Sequence, residues 1–148
     1  MSNPAPPPAI EVIGPRAGEV LNVLGAPITV KSGGDARQLF FADHPLPPGY
    51  GVPMHVHLDD DELFYVLEGE LTLLSPDGEL KAGPGTFVHL PCGAAHGFLN
   101  ATDTPGRMLV ITTPGGNLEG VFRDLDAAKS PAPEEVGAIC AAHRIPMV

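Results

Sequence analysis

Residues 49–69 read GYGVPMHVHLDDDELFYVLEG, and this stretch decides how the rest of the chain is read. On an extended strand residues i and i+2 share a face. His55 and His57 therefore project together, and Met54 and Val56 project the other way. Leu58, Asp59, Asp60 and Asp61 read as a turn, because three aspartates do not fit a dry ladder and Asp readily bonds turn backbone. Glu62 then opens a second strand, on which Glu62, Phe64 and Val66 share one face and Leu63, Tyr65 and Leu67 the other. The hairpin brings Glu62 beside the histidine pair. An unpaired charge on the same face as Phe64 and Val66 is costly. A cation held between carboxylate and imidazoles removes that cost, and so does placement at a solvated strand end. A lone His-X-His is weak evidence for a metal clamp; the carboxylate strengthens it.

A second stretch, GTFVHLPCGAAHGFLN at residues 85–100, repeats the theme. Pro91 and Gly93 make a turn, and His96 starts a strand with Phe98 and Asn100 on its face. Candidate strands run over residues 20–24, 27–31, 38–42, 52–57, 62–67, 70–74, 79–82, 86–90, 96–100 and 107–112. The turn chemistry of SGGD, PLPPG, EG, SPDG, GPG, PCG and TDTPG separates them. Gly and Pro number 18 each, spread between short apolar runs. The pattern is all-β, an antiparallel sandwich or barrel over about residues 20–113. Two helices are expected to close the chain over about residues 117–145. Leu118, Val121, Phe122 and Leu125 fall at helical spacing behind Asn117 as an N-cap, and Val136, Ile139, Cys140 and His143 repeat the spacing behind Pro133. Residues 1–9 contain NPAPPP and read as a flexible arm, leaving residues 10–148 as a single domain.

Both quoted stretches resemble the two motifs of the cupin superfamily. The first motif is Gly, five residues, His-X-His, three or four residues, Glu, six residues, Gly; here it is filled by Gly49, His55, His57, Glu62 and Gly69. The second is Gly, five residues, Pro-X-Gly, two residues, His, three residues, Asn; here it is filled by Gly85, Pro91, Gly93, His96 and Asn100. Two gapped patterns matched in full and in order are far more specific than His-X-His alone. The resemblance implies a jelly-roll β-barrel in which His55, His57, Glu62 and His96 ligate one divalent transition metal (Fe, Mn, Ni, Co, Cu or Zn), with Asn100 a strand-end residue. Such a site has no cysteine and leaves coordination positions open, which suits a working centre better than a closed structural zinc site.

Within the superfamily, YVLEGELTLL at residues 65–74 and LVITTPGGNLEGVFRDL at residues 109–125 look like the quercetinase-like, flavonol dioxygenase group. That likeness implies an O2-dependent dioxygenase for an apolar, aromatic or enol small molecule, with Glu62 doubling as the catalytic base for the substrate hydroxyl. The expected pocket lining is Phe64, Val66, Phe98 and either Phe87 or Phe40, with Met54 at the rim. Other readings stay open. An oxalate-type decarboxylase or oxidase would need Arg37 or Arg107 for the second carboxylate. A sugar isomerase would need a phosphate cradle, which the sequence does not display. Thiol dioxygenases usually lack the motif glutamate. A non-catalytic sensor would bind its ligand and return it unchanged. The resemblance also implies a homodimer.

Composition sets outer bounds. The net charge is −10 with eight Lys and Arg in all, which argues against nucleic acid or an anionic membrane as partner. No apolar run approaches the ~20 residues of a membrane span. MSNPAPPPAI lacks the basic and apolar regions of a secretory signal, so a cytoplasmic protein with Cys92 and Cys140 as free thiols is expected. His44 in ADHPLPPG reads as a loop residue, and His89 as a strand histidine with an ordinary hydrogen bond. His143 suits a helix C-terminus, and Tyr65 the outer face of the sheet.

Overall fold

The alternation of apolar and polar residues along each strand gives two antiparallel sheets, which the computed structural model describes for residues 1–34 and 38–148. The strands are β1 (Glu19–Val23), β2 (Ala26–Ser32), β3 (Phe40–Leu46), β4 (Gly51–His55), β5 (Asp61–Glu68), β6 (Leu71–Ser75), β7 (Gly78–Ala82), β8 (Phe87–Leu90), β9 (His96–Leu99) and β10 (Gly106–Thr113). One sheet has the order β1-β2-β3-β10-β5-β8 and the other β4-β9-β6-β7. This is the jelly-roll expected, and each strand inferred from the sequence has its counterpart. Arg37 lies outside the described residues.

Register fixes what faces inward. Glu62 of β5 pairs with Thr112 of β10, and Thr112 pairs with Phe40 of β3. Two residues further along, Phe64, Val110 and Ala42 form the next inward row; then come Val66, Met108 and His44. These apolar side chains are buried, each contributing on the order of 1.5–3 kcal/mol when fully removed from water. The opposite parity faces out, as Tyr65 does.

Turns hold the two motifs together. Gly93 has φ 85°, in the left-handed region that glycine adopts without strain, and its N–H donates to the His57 carbonyl at 2.9 Å. Gly69 has φ 78°, and a Cβ there would lie 2.8 Å from Gly106 Cα, so nothing larger fits between β5 and β10. Asn100 acts at the strand end as expected: its amide donates to the carbonyls of Leu46 and Thr104, both at 2.9 Å.

Two helices follow, α1 (Gly116–Ala128) and α2 (Pro133–Ala142). Leu118, Val121, Phe122 and Leu125 form the buried stripe of α1. The N-cap is Gly115 rather than Asn117. The Asn117 side chain is instead drawn to the acidic turn, where it donates to Asp59 Oδ2 at 2.9 Å. Pro133 opens α2, with Glu134 and Glu135 in its first turn. Beyond α2 the chain returns along residues 54–58. Leu58 N–H donates to the Arg144 carbonyl at 3.1 Å, Val56 N–H to the Pro146 carbonyl at 3.0 Å, and Val148 N–H to the Met54 carbonyl at 3.0 Å. Among the described residues, no helix is long and apolar enough to cross a membrane.

Candidate metal centre

Strand β4 ends at His55, two residues short of the expected His57, and its register with β9 shifts between Val52 and His55. The two imidazoles nevertheless face the same space, with ring centroids 5.2 Å apart. His96, which pairs with His55 across the β4–β9 ladder, brings its ring to 4.5 Å from His55 and stacks on His57 at 5.4 Å. Glu62 enters from the other sheet: β4 pairs with β9 while β5 pairs with β10 and β8, so the expected hairpin does not form and the acidic turn carries the chain from one sheet to the other. One candidate ligand atom from each of His55, His57, Glu62 and His96 falls within 4.8 Å of all the others, and all four residues are buried. This cluster could hold one metal ion.

The hydrogen bonding around the cluster fits a cation. His55 Nδ1 stands 2.9 Å from the Pro53 carbonyl, and His96 Nδ1 stands 3.0 Å from the Ala94 carbonyl. A carbonyl oxygen only accepts, so each Nδ1 carries the hydrogen, and in the neutral ring each Nε2 is a bare lone pair. Such outer contacts are how ligating histidines are oriented. Yet His96 Nε2 lies 3.1 Å from Glu62 Oε1, and His57 Nε2 lies 3.5 Å from Glu62 Oε2. A carboxylate facing a lone pair demands either a shared proton or a metal between them. His57 adds the clearest sign: neither ring nitrogen has a hydrogen-bond partner, although both are buried.

Charge balance points the same way. Burial lowers the affinity of His55 for a proton, bringing its pKa to about 4, and burial also lowers that of His57. Burial pushes the Glu62 carboxyl up, but His57, His96 and His55 together outweigh it and hold the group below its usual range. Burial depresses His96, and the hydrogen bond and charge of Glu62 more than reverse that. His55 and His57 are thus neutral and Glu62 ionised, and the proton shared between His96 and Glu62 is the one a divalent metal would displace.

Two polar residues near the cluster carried no readable signal in the sequence. Thr112, the cross-strand neighbour of Glu62, has a buried hydroxyl without a partner among the described residues. Asp60 departs from the solvated turn expected of it: it is buried with one oxygen unpartnered, and burial raises its pKa to about 6. Its neighbours behave as tie points. Asp59 accepts from Arg144 at 2.6 and 2.9 Å, and Asp61 accepts from the Cys92 N–H at 2.9 Å and pairs with His89 at 3.2 Å. His89 is thus an ordinary surface partner of Asp61.

A cavity of about 60 Å³ opens beside the cluster, with His55 and Glu62 at one end. Phe64 and Phe98 line it, together with Met108 and Val110. Three other expectations are corrected. Phe87 pairs with Tyr65 on the outward parity and is 61% exposed, so it is not a pocket residue. Val66 is buried in the core but does not border the cavity. Met54 alternates with His55 and so points away; Met147 of the C-terminal tail takes its place. His44 is a fourth correction. It lies in β3 rather than a loop, is 2% exposed, and borders the cavity. Helix α1, helix α2 and the tail form the remaining wall, with Leu118, Phe122, Cys140 and Ile145 among its residues.

Comparison with known proteins agrees with this architecture. Residues 44–112 match the Cupin domain family, a span that includes all four cluster residues. A quercetin 2,3-dioxygenase from Bacillus subtilis is 34% identical over 80 residues, which are 53% of this chain and 23% of that protein. The chain therefore corresponds to less than a quarter of the dioxygenase. A crystal structure described as a sugar phosphate isomerase of the cupin superfamily from Silicibacter pomeroyi is 33% identical, with TM-score 0.53 and coverage of 60% of each chain. The polyketide cyclase RemF from Streptomyces resistomycificus shares the fold at 22% identity and TM-score 0.62, covering 72% of this chain and 81% of its own. With both motifs filled, the jelly-roll formed and the family match spanning the buried cluster, the chain carries a cupin domain over residues 44–112.

Proposed function

We propose that the protein is a metal-dependent enzyme that uses O2 to oxidise an aromatic or enol substrate, with His55, His57, Glu62 and His96 as the metal ligands. The observation that carries this reading is the character of the cavity next to the cluster. Its wall is hydrocarbon from Phe64, Phe98, Met108, Val110 and the helices, and among the described residues no Lys or Arg borders it. A dianionic substrate such as a dicarboxylate or phosphosugar would bring buried charge with no partner, at a cost of several kcal/mol. Arg107, considered for that role, is engaged elsewhere: it forms a two-point pair with Asp43 at the sheet surface, its Nε 2.7 Å from Asp43 Oδ1. The 34% likeness to a quercetin dioxygenase over 80 residues supports the same direction.

A bound divalent transition metal would supply Lewis acidity at the substrate oxygen and a path for electrons to O2. The chain's own contributions follow from its geometry. Glu62 sits where cluster and cavity meet, buried and ionised, so it is the group placed to take the proton of a substrate hydroxyl. The carbonyls of Pro53 and Ala94 keep His55 and His96 in the tautomers that leave Nε2 free. The apolar wall excludes water and receives the substrate ring. At about 60 Å³ the cavity is well short of the ~300–1,000 Å³ of pockets that hold drug-sized ligands. Entry of a fused ring therefore requires the wall made by α1, α2 and the tail to give way.

The test is O2 uptake by protein reconstituted with each candidate metal and supplied with 3-hydroxyflavone and smaller enols. Substrate-dependent uptake that disappears in Glu62→Gln is the expected result. No uptake with any metal and any enol would overturn the proposal.

A further inference from the structure

The chemistry just proposed leaves one buried polar side chain on the cavity wall unused, and that is His44. Its Nδ1 lies 2.7 Å from the Pro45 carbonyl. The carbonyl can only accept, so Nδ1 carries the hydrogen and Nε2 of the neutral ring is a bare acceptor. Burial keeps the ring neutral, with a pKa of about 4. Nε2 has no hydrogen-bond partner among the described residues and is not one of the fully enclosed unpartnered atoms, so it is open to the cavity that His44 lines. The ring is packed edge-on against Tyr50, Phe98 and Phe122, at centroid distances of 5.4, 5.9 and 6.4 Å. Tyr50, the neighbouring polar group, is already committed: its hydroxyl donates to the Val23 carbonyl at 2.9 Å.

An acceptor facing a hydrocarbon-walled cavity without a partner is unfavourable. A leucine or methionine at this inward position of β3 would fill the space without that cost. The penalty disappears when a ligand in the cavity donates to Nε2. The strand registers place the donor. His44 shares its row with Met108 and Val66, and Glu62 shares its row with Thr112. The two residues thus stand four positions apart along the strands and two strands apart across the sheet. That separates their Cα atoms by roughly 13 Å along and about 10 Å across, and both side chains reach into the same cavity. A ligand touching both bridges the cavity from one residue to the other.

We propose that His44 selects the substrate, its Nε2 accepting a hydrogen bond from a hydroxyl on the end of the molecule remote from Glu62. The inference rests on the aromatic-enol reading above and narrows it. The substrate class is an enol that carries a second hydroxyl at the end away from the enol. Recognition of this kind discriminates against an analogue that lacks the hydroxyl, because the analogue leaves the buried nitrogen unpaired.

The test uses the full chain loaded with zinc, which cannot oxidise the ligand, in calorimetric titrations without O2. The probes are 3,7-dihydroxychromone and 3-hydroxy-7-methylchromone, which differ by a hydroxyl and a methyl of similar size. Wild-type protein is expected to prefer the dihydroxy compound by about tenfold. His44→Phe should reduce the preference to within about twofold, hold its zinc, and bind the methyl compound at least as well as wild type. A residue that merely props the wall would shift both affinities together and leave their ratio alone. Should His44→Phe not fold, His44→Met makes the same measurement. An equal ratio in wild type and variant, or no preference in wild type, overturns the role of His44 while chromone binding upholds the aromatic-enol reading. Binding of neither chromone to the wild-type zinc protein overturns both.

Discussion

At one end of the barrel interior three imidazoles and a carboxylate converge on a point; at the other His44 stands alone among Tyr50, Phe98 and Phe122. The first end is assembled from residues 55–96, brought together by β4, β5 and β9 and tied by the Gly93–His57 hydrogen bond. The second draws on β3 and β10, on both helices and on the C-terminal tail. One end gathers lone pairs and offers them a charge to share. The other offers shape, hydrocarbon and a single acceptor. The division means that metal affinity and ligand preference respond to different residues, and it can be attacked from either side.

The largest effect belongs to the cluster. His57→Ala or Glu62→Ala should weaken metal binding by at least about 100-fold in competition with a chelator, since even outer-shell changes cost ~10–100-fold. His44→Phe should leave it within about threefold. Equal losses in both would erase the distinction between the two ends. Next comes the wall: Phe122→Ala removes a buried ring that meets Phe40 edge-on at 5.7 Å. It should lower stability by about 3–5 kcal/mol in urea unfolding, with metal affinity unchanged. A smaller effect, of opposite sign, is expected at Thr112. Replacing its unpartnered hydroxyl with the isosteric Thr112→Val should stabilise the metal-free protein by about 1 kcal/mol; destabilisation would mean the hydroxyl is bonded. Smallest is Phe87→Ser on the outer face, which should stay within about 0.5 kcal/mol of wild type and leave ligand binding untouched.

The same division governs what could be read from the sequence. The buried four-residue cluster is legible because the two motif spacings constrain it locally, and the strands are legible because turn residues punctuate them. His57 could be placed beside His55 even though the strand stops before it. His44 was misread because ADHPLPPG has the composition of a loop. Yet β2 pairs with β3 only as far as Asp43, so by Pro45 the strand has β10 alone as partner, and a proline is tolerated on such an edge. Phe87 was misassigned for want of register: only its pairing with Tyr65 shows which face it takes. Asp60 is hidden in a run of three aspartates whose fates differ in burial and in partner. Residues of the wall come from α1, α2 and the tail, whose docking onto the barrel follows from tertiary packing and leaves no short pattern.

The central claim is that His55, His57, Glu62 and His96 hold one metal. Elemental analysis of protein purified without chelators, joined to X-ray absorption at the edge of the metal found, tests it most directly. The account predicts about one divalent transition metal per chain with scattering from three imidazoles. Removal of that metal should lower the melting temperature, as loss of any ligand specific to the folded state does. A chain that stays metal-free after reconstitution, or a metal whose imidazole scattering survives intact in His96→Ala, would contradict it.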